Sequence, residues 1–236
     1  MIYKAGIIGC GRIGSEFDND PKRRYVSSHA GAYFRNPQTE LTAVADLDRG
    51  KLDRCGEKWG IKSLYQDYIE MLEHERLDIL SICTWNNTHL EITERAVRNG
   101  VKAIFCEKPI ANTLDDAYKM VEICKKNGII LQIDHQRRFC EFHQNIKDFI
   151  DNGVIGRIQQ VSFYYTAGIA NTGSHMFDLL RFFFGEVSWW WHLRAQTRQP
   201  MKKILISMGL SVSRMVFFAA FRRVTSMNFL YSRPTL

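Results

Sequence analysis

Gly9-Cys10-Gly11-Arg12-Ile13-Gly14 is a G-x-G-x-x-G that closes the apolar run KAGIIG at 4–9. Glycines at those three positions allow a tight turn, close approach of backbone to a pyrophosphate, and packing of a helix start against a strand. At a strand–helix junction the pattern reads as a dinucleotide site, with a plain glycine turn as the alternative. Gly9, Gly11, Arg12, Ile13 and Gly14 are the candidate cofactor contacts. Asp46, at the end of a second apolar run, could accept hydrogen bonds from ribose hydroxyls, and its charge would repel a 2′-phosphate. That favours NAD, while Arg49 three residues on keeps NADP possible. The spacing is unusual, since Asp46 follows Gly14 by 32 positions, against about 20 in the common fingerprint. The excess lies in SEFDNDPKRRYVSSHAGAY at 15–33, which reads as an enlarged loop. Its Lys22-Arg23-Arg24 run is a solvated face or, alternatively, a phosphate contact.

Three further stretches could act on a substrate. CTWNNTH at 83–89 and CEKP at 106–109 each follow an apolar run, and so would lie at carboxyl ends of strands, where open α/β sheets bind ligands. Thr84, Trp85, Asn86, His89 and Glu107 are the candidate cofactor contacts there. Lys108 is a cation expected near the nicotinamide, or else a surface lysine paired with Glu107. In NTGSHMFD, Asn171, His175 and Asp178 fall at i, i+4 and i+7 around a helix start. A histidine there could accept a proton near neutral pH, or simply cap or pack the helix.

Strands and helices must alternate to place these groups. KAGIIG, ELTAVAD, LDILSIC, VKAIFC and GIILQID have the form of buried parallel strands. Between them, YQDYIEMLEHER, THLEITERAVRNG and NTLDDAYKMVEICKKNG have helical spacing. The last carries Thr113 and Asp116 as a capping-box pair. The expected architecture is α/β, an N-terminal Rossmann doubly wound parallel sheet over 1–135. After it the pattern changes. CEFHQNIKDFIDNG predicts an amphipathic helix with Phe142, Ile146, Phe149 and Ile150 inward. RIQQVSFYYT alternates like a half-buried strand, and SHMFDLLRFFFG predicts a further helix stopped by Gly185. Residues 136–187 therefore read as the start of a C-terminal α+β domain.

GCGRIG, Thr84-x-Asn86-x-x-His89, Glu107-Lys108-Pro109 and Asn171-x-x-x-His175-x-x-Asp178 together resemble the Gfo/Idh/MocA oxidoreductases, in that family's order and over residues 1 to about 187. The resemblance implies a Rossmann domain and a second domain built on a large open sheet. It also implies hydride transfer between NAD(P) and a hydroxyl-bearing carbon of a sugar, sugar nucleotide or cyclitol. Lys108 would then hydrogen-bond the reacting oxygen, and His175 would be the proton acceptor. The inositol dehydrogenase type carries Asp where this chain has Asn171. An amide can orient a hydroxyl or an imidazole but cannot take the proton, so Asn171 is assigned an orienting role. Asp178 could help hold the imidazole. Full-length members of such a family would be homo-oligomers.

The six cysteines are scattered, without zinc spacing, so no metal site is expected and the thiols read as reduced, in a cytoplasmic protein. The net charge of +7 is uneven. All 25 acids lie within 1–186, and eight of the 32 basic residues lie beyond them. The basic excess therefore gives no footprint for nucleic acid on the main body, and no membrane segment is expected, since Arg214 interrupts the one long apolar stretch. Residues 188–236 form an atypical basic tail. Read one base earlier, Met201-Lys202-Lys203-Ile204 would encode acids, and Trp189-Trp190-Trp191 would become an aliphatic residue followed by Val-Val. A truncated or frame-shifted family member is the expectation this raises. A genuine basic arm, or a dinucleotide-binding protein without catalysis, are the alternatives.

Overall fold

The computed structural model describes residues 1–158, 161–163, 165, 167–194 and 215–221. The chain divides into two compact units, Met1–Asp134 and His135–Leu236. In the first, six strands form one parallel sheet: β1 (Tyr3–Ile8), β2 (Thr39–Ala45), β3 (Ser63–Tyr65), β4 (Ile79–Ile82), β5 (Ala103–Cys106) and β6 (Ile130–Ile133). Their order is β3-β2-β1-β4-β5-β6. Five of them coincide with the apolar runs. The three-residue β3 does not, because SLY is too short to show a period and is defined by its pairing with Ala43–Ala45.

Helices α1 (His29–Arg35), α2 (Arg49–Trp59), α3 (Tyr68–His74), α4 (His89–Arg98) and α5 (Leu114–Lys126) connect the strands. Thr113 caps α5 as its sequence predicts, its side chain accepting from the Asp116 backbone N–H. Strand residues alternate between two cores. Ala5, Ile7 and Val44 pack with Ala30, Tyr33, Leu52 and Cys55 from α1 and α2. Ile8, Ala43, Ala45, Leu80 and Ile82 pack with Met71, Leu72, Ile92, Ala96 and Met120 from α3, α4 and α5. Both faces of the sheet are thereby buried along its central strands, though not at the edge strand β6, and that burial is what allows continuous apolar runs in a parallel sheet.

The long spacing between Gly14 and Asp46 has a simple origin. A helical turn begins at the glycine motif, with the Ser15 N–H donating to Gly11 and that of Phe17 to Arg12. The chain then leaves the helix axis and returns. The His29 N–H donates to the Ile13 carbonyl at 3.0 Å and that of Ala30 to Gly14 at 2.9 Å. In a continuous helix residues 17 and 18 would make those bonds, so α1 resumes the same helix after an excursion of about 12 residues, the whole excess over the usual spacing. Part of the expected loop, from His29 onward, is therefore helix. Asp18 closes the excursion by accepting from the Ser27 N–H and the Ser28 hydroxyl. Removal of residues 17–28 should rejoin the helix and leave NADH affinity within roughly threefold of the parent. A titration by NADH fluorescence, alongside a thermal melt, checks this; an unfolded product would contradict the insertion reading.

In the second unit, α6 (Glu141–Asp151) and α7 (Ser174–Phe184) enclose a small core of Met176, Leu179, Leu180, Phe183 and Phe184, with Ile146 and Ile150 against it. Phe142 and Phe149, expected inward, are 66% and 53% exposed. The inward stripe of α6 is narrower than its apolar residues suggest. The described residues of 157–166 form no strand, because alternation alone supplies no hydrogen-bonding partner. Instead β7 (Val187–Arg194) pairs antiparallel with β8 (Met215–Phe221), where no strand was expected. The rest of the basic tail lies outside the described residues. Among those described, no helix is long and apolar enough to cross a membrane. All six cysteines are free thiols.

Candidate active site

In-register pairing gathers the candidate residues of the first unit into one row. Ile8 is paired with Ala45 and Ile82, Ile82 with Cys106, and Cys106 with Ile133. The next residue of each strand therefore stands at the carboxyl edge: Asp46, Gly9, Cys83, Glu107 and Asp134, in sheet order. Backbone bonds extend the ladder one step to hold them, from Gly9 to Ala45, Cys83 to Ile8, Glu107 to Ile82 and Asp134 to Cys106. The sequence order reverses between β1 and β4, and at such a switch point the two flanking loops diverge and open a crevice.

The glycine turn fits a pyrophosphate. Gly9 has φ +99°, and a Cβ there would lie 2.7 Å from the Cys83 carbonyl oxygen. A Cβ on Gly14 would stand 1.9 Å from the Gly9 carbonyl oxygen, so the helix start sits directly on the turn. Gly11 has nothing within 4 Å of the same construction, which leaves its backbone approachable. Arg12 is exposed, with its guanidinium over the Phe17 ring, and Ile13 is half-buried. Asp46 accepts the Cys10 N–H on Oδ2 at 2.7 Å and the Asp48 N–H on Oδ1 at 2.9 Å. It thus ties the glycine turn to the end of β2, where ribose hydroxyls would be met. Arg49 is engaged by Asp53 at 2.9 Å.

The loops after β4 and β5 are joined from below by His89. Its ring is fully buried, with Nδ1 3.1 Å from the Ile110 carbonyl and Nε2 3.2 Å from the Thr84 carbonyl. That geometry makes His89 a brace between loops. Thr84 Oγ1 bonds Thr88, Asn86 bonds Asn112 across to the β5 loop, and Trp85 is 83% exposed. Glu107 is buried and Lys108 half-buried beside it. Glu107 accepts the Lys108 backbone N–H on Oε2 at 3.2 Å, and its Oε1 faces Nε2 of His29 at 3.3 Å.

His29 enters this row from the start of α1, and its position after a long loop hid it in the sequence. Its Nδ1 lies 2.8 Å from Ser81 Oγ, and Asp134 Oδ2 is 3.8 Å from its Nε2. Burial opposes a charge on the ring, but the Cys83 side chain and the Glu107 carboxylate outweigh it and hold the His29 pKa up, at about 10. The Cys83 thiol is itself pushed up by burial and so is neutral near pH 7, which leaves Glu107 as the effective counter-charge. Burial likewise works against the Glu107 charge, yet His29, Asp134 and the Lys108 N–H together bring its pKa below the usual value. Burial and then the Glu107 carboxylate push Asp134 up to about 6. Because His29 titrates above its unfolded value, its charge stabilises the fold in full below pH about 6.5 and ceases to do so as pH rises through its raised pKa.

The second unit carries the other candidates. A π-helical turn at Ile169–Gly173 leads into α7 and presents Asn171, which is exposed and whose carbonyl accepts from the Ser174 hydroxyl at 2.7 Å. His175 is buried, with its ring edge-on to His135 at 5.8 Å between centroids. Asp178 turns its carboxylate to Arg138, whose Nε donates to Oδ1 at 2.7 Å and whose Nη2 reaches the Asp178 carbonyl. Arg138 thus anchors the helix that carries His175, a role invisible in the sequence because the partners are 40 residues apart. Arg138→Ala would strand a carboxylate that is only 11% exposed. Amide exchange in α7 should then speed up by roughly 10- to 100-fold relative to α4.

Residues 3–135 match the Gfo/Idh/MocA pattern, described as an oxidoreductase family with an NAD-binding Rossmann fold. D-apiose dehydrogenase of Paraburkholderia graminis is 30% identical over 203 residues, covering 79% of this chain and 51% of that protein. Inositol 2-dehydrogenase of Salmonella typhimurium is 33% identical over 159 residues, covering 66% of this chain and 44% of that protein. The chain thus spans about half the length of these curated relatives. Among solved structures, myo-inositol 2-dehydrogenase of Lactobacillus plantarum superposes with a TM-score of 0.69 at 25% identity, covering 83% of this chain and 60% of that one. The WlbA dehydrogenase of Bordetella pertussis, solved with NADH and UDP-GlcNAcA, shares the fold with a TM-score of 0.74 at 22% identity, covering 95% and 68%. The glycine turn at the strand-order reversal and the match over most of the first unit lead to one conclusion: the chain belongs to the Gfo/Idh/MocA oxidoreductase family and carries its NAD-binding Rossmann fold.

Proposed function

We propose that this chain transfers a hydride between a nicotinamide and a hydroxyl-bearing carbon of a sugar, sugar nucleotide or cyclitol. The observation that carries the reading is the row at the sheet edge. It sets a pyrophosphate-compatible turn at Gly9–Gly14 two strands away from Glu107 and Lys108, a distance of about 10 Å. That is short enough for one extended dinucleotide to touch both ends. The relatives named as apiose and inositol dehydrogenases support the substrate class. When bound, the nicotinamide ring accepts or gives up the hydride.

The remaining chemistry belongs to this chain's own residues, backbone and side chain. Gly9, Gly11, Arg12, Ile13 and Gly14 receive the pyrophosphate, and Asp46 the adenosine ribose, which favours NAD over NADP. Thr84, Trp85 and Asn86 line the nicotinamide side, held by His89. Oxidation of an alcohol releases a proton with the hydride, and His175 accepts it, while Asn171 orients the hydroxyl or the ring. The Lys108 ammonium donates to the reacting oxygen and stabilises the alkoxide as charge develops there. In this division residues 1–135 hold the cofactor and 136–187 supply the proton acceptor.

Fluorescence titration with NADH followed by an absorbance assay of NAD reduction over a panel of aldoses and cyclitols tests the reading. Binding with turnover of at least one polyol supports it. Failure to bind NADH at roughly 1 mM would reject it, and binding without turnover would favour the non-catalytic alternative.

A further inference from the structure

We infer that His29 is a positioning residue: clamped at the ends of β4, β5 and β6, it orients Glu107 and through it the main chain at Lys108. This rests on the reading of Lys108 as the cation at the reacting oxygen.

The ring is fixed from every side. Ser81 Oγ meets Nδ1 at 2.8 Å and is itself held by the Tyr33 hydroxyl at 2.8 Å. Phe105 covers the ring at 4.7 Å between centroids. Cys83, Glu107 and Asp134 face it from the three strand ends, and His29, Glu107 and Asp134 are 4%, 9% and 8% exposed. A group so enclosed has one orientation. Glu107 inherits that orientation, because each of its oxygens has a set partner, Oε1 at the His29 ring and Oε2 on the Lys108 amide. The peptide joining Glu107 to Lys108 is thereby pinned on the side of the carboxylate.

Stability alone does not account for the arrangement. Charged groups buried together usually stabilise a fold no better than apolar residues of similar volume. What the ions add is directional, since they fix one geometry. His29, Glu107 and Asp134 also place three potential ligand atoms within 4.8 Å of one another. In this structure both ring nitrogens are already engaged, Nδ1 with Ser81 and Nε2 with Glu107. The triad is thus a hydrogen-bonded clamp placed next to Lys108.

The test uses the full chain with His29→Leu, which removes both ring donors, and His29→Gln, which keeps one N–H for Glu107. The first readout needs no turnover. Trace acetylation followed by mass spectrometry gives the reactivity of the Lys108 amine relative to Lys126, an exposed lysine. That ratio should rise at least about threefold in His29→Leu as the lysine loses its set direction, and return to within about twofold of the parent in His29→Gln. In the assay, kcat should fall about 10- to 100-fold in His29→Leu, with the polyol KM and the NADH Kd within roughly threefold. Where His29→Leu does not fold, Glu107→Gln carries the same test, because it keeps the shape and removes the charge that the ring holds. Unchanged Lys108 reactivity in a folded variant overturns the inference. A parent chain that binds NADH yet turns over no polyol overturns the catalytic reading alone, and the acetylation ratio still decides the role of His29.

Discussion

Lys108→Ala is expected to lower turnover by about 10²- to 10³-fold while NADH affinity stays within roughly threefold. The asymmetry follows from where the lysine stands. The proposed cofactor contacts are spread over the glycine turn after β1, the Asp46 carboxylate after β2 and the loop after β4. Lys108 follows β5, half-buried, with its backbone held by Glu107. Removing its ammonium deletes one donor among many for the dinucleotide, but the cation proposed to face the oxygen that gains charge during hydride removal. Such an interaction strengthens as the alkoxide develops, so its loss falls on kcat, with a small change in KM. Lys108→Arg should recover little, since a planar guanidinium on a longer stem cannot place its donors where the ammonium stood. Stopped-flow measurement of hydride transfer beside equilibrium NADH titration separates the two quantities. An equal loss of binding and turnover would make Lys108 a cofactor-holding residue and remove it from the chemistry.

The strand runs could be read from composition because a parallel sheet buried on both faces requires continuous apolar segments. The Gly9–Gly14 motif could be read because its spacing is local and Gly9 and Gly14 each have a steric reason. What stayed hidden depends on distance in sequence. His29 looked like part of a loop because the acceptor of its backbone N–H, Ile13, lies on the far side of the excursion. Glu107 could be seen as the acid beside Lys108, but not as the acceptor facing a histidine 78 residues earlier. Arg138 and Asp178 meet only after α7 folds back. Even β3 is a product of pairing, since three residues carry no period of their own. The misplaced Phe142 and Phe149 show the converse, for apolar spacing reports which residues could face a core and not how wide that core is.

Two alanine substitutions in the glycine motif should separate holding the fold from holding the cofactor. Gly14→Ala is expected to destabilise the first unit by about 3 kcal/mol, a fall in melting temperature of roughly 6–12 °C. The cause is steric and local. The new methyl would sit 1.9 Å from the Gly9 carbonyl oxygen, which is backbone and cannot rotate away. The helix start must lift off the turn. That start also carries Ile13 and Gly14 as acceptors for His29 and Ala30, so α1 and the triad at the edge of β5 move with it. NADH affinity should fall in proportion to the misplaced turn, at least about 30-fold. Gly11→Ala is the contrasting case. Nothing lies within 4 Å of its added Cβ, so the melting temperature should stay within a few degrees of the parent. Its methyl projects instead into the open side of the turn, where a pyrophosphate must approach backbone closely, and NADH affinity should fall roughly tenfold or more. A Gly11→Ala chain that melts normally and binds NADH normally would place the pyrophosphate elsewhere. A stable Gly14→Ala chain would mean that the helix start can separate from the turn at little cost, and the close contact would then not be what holds the motif in shape.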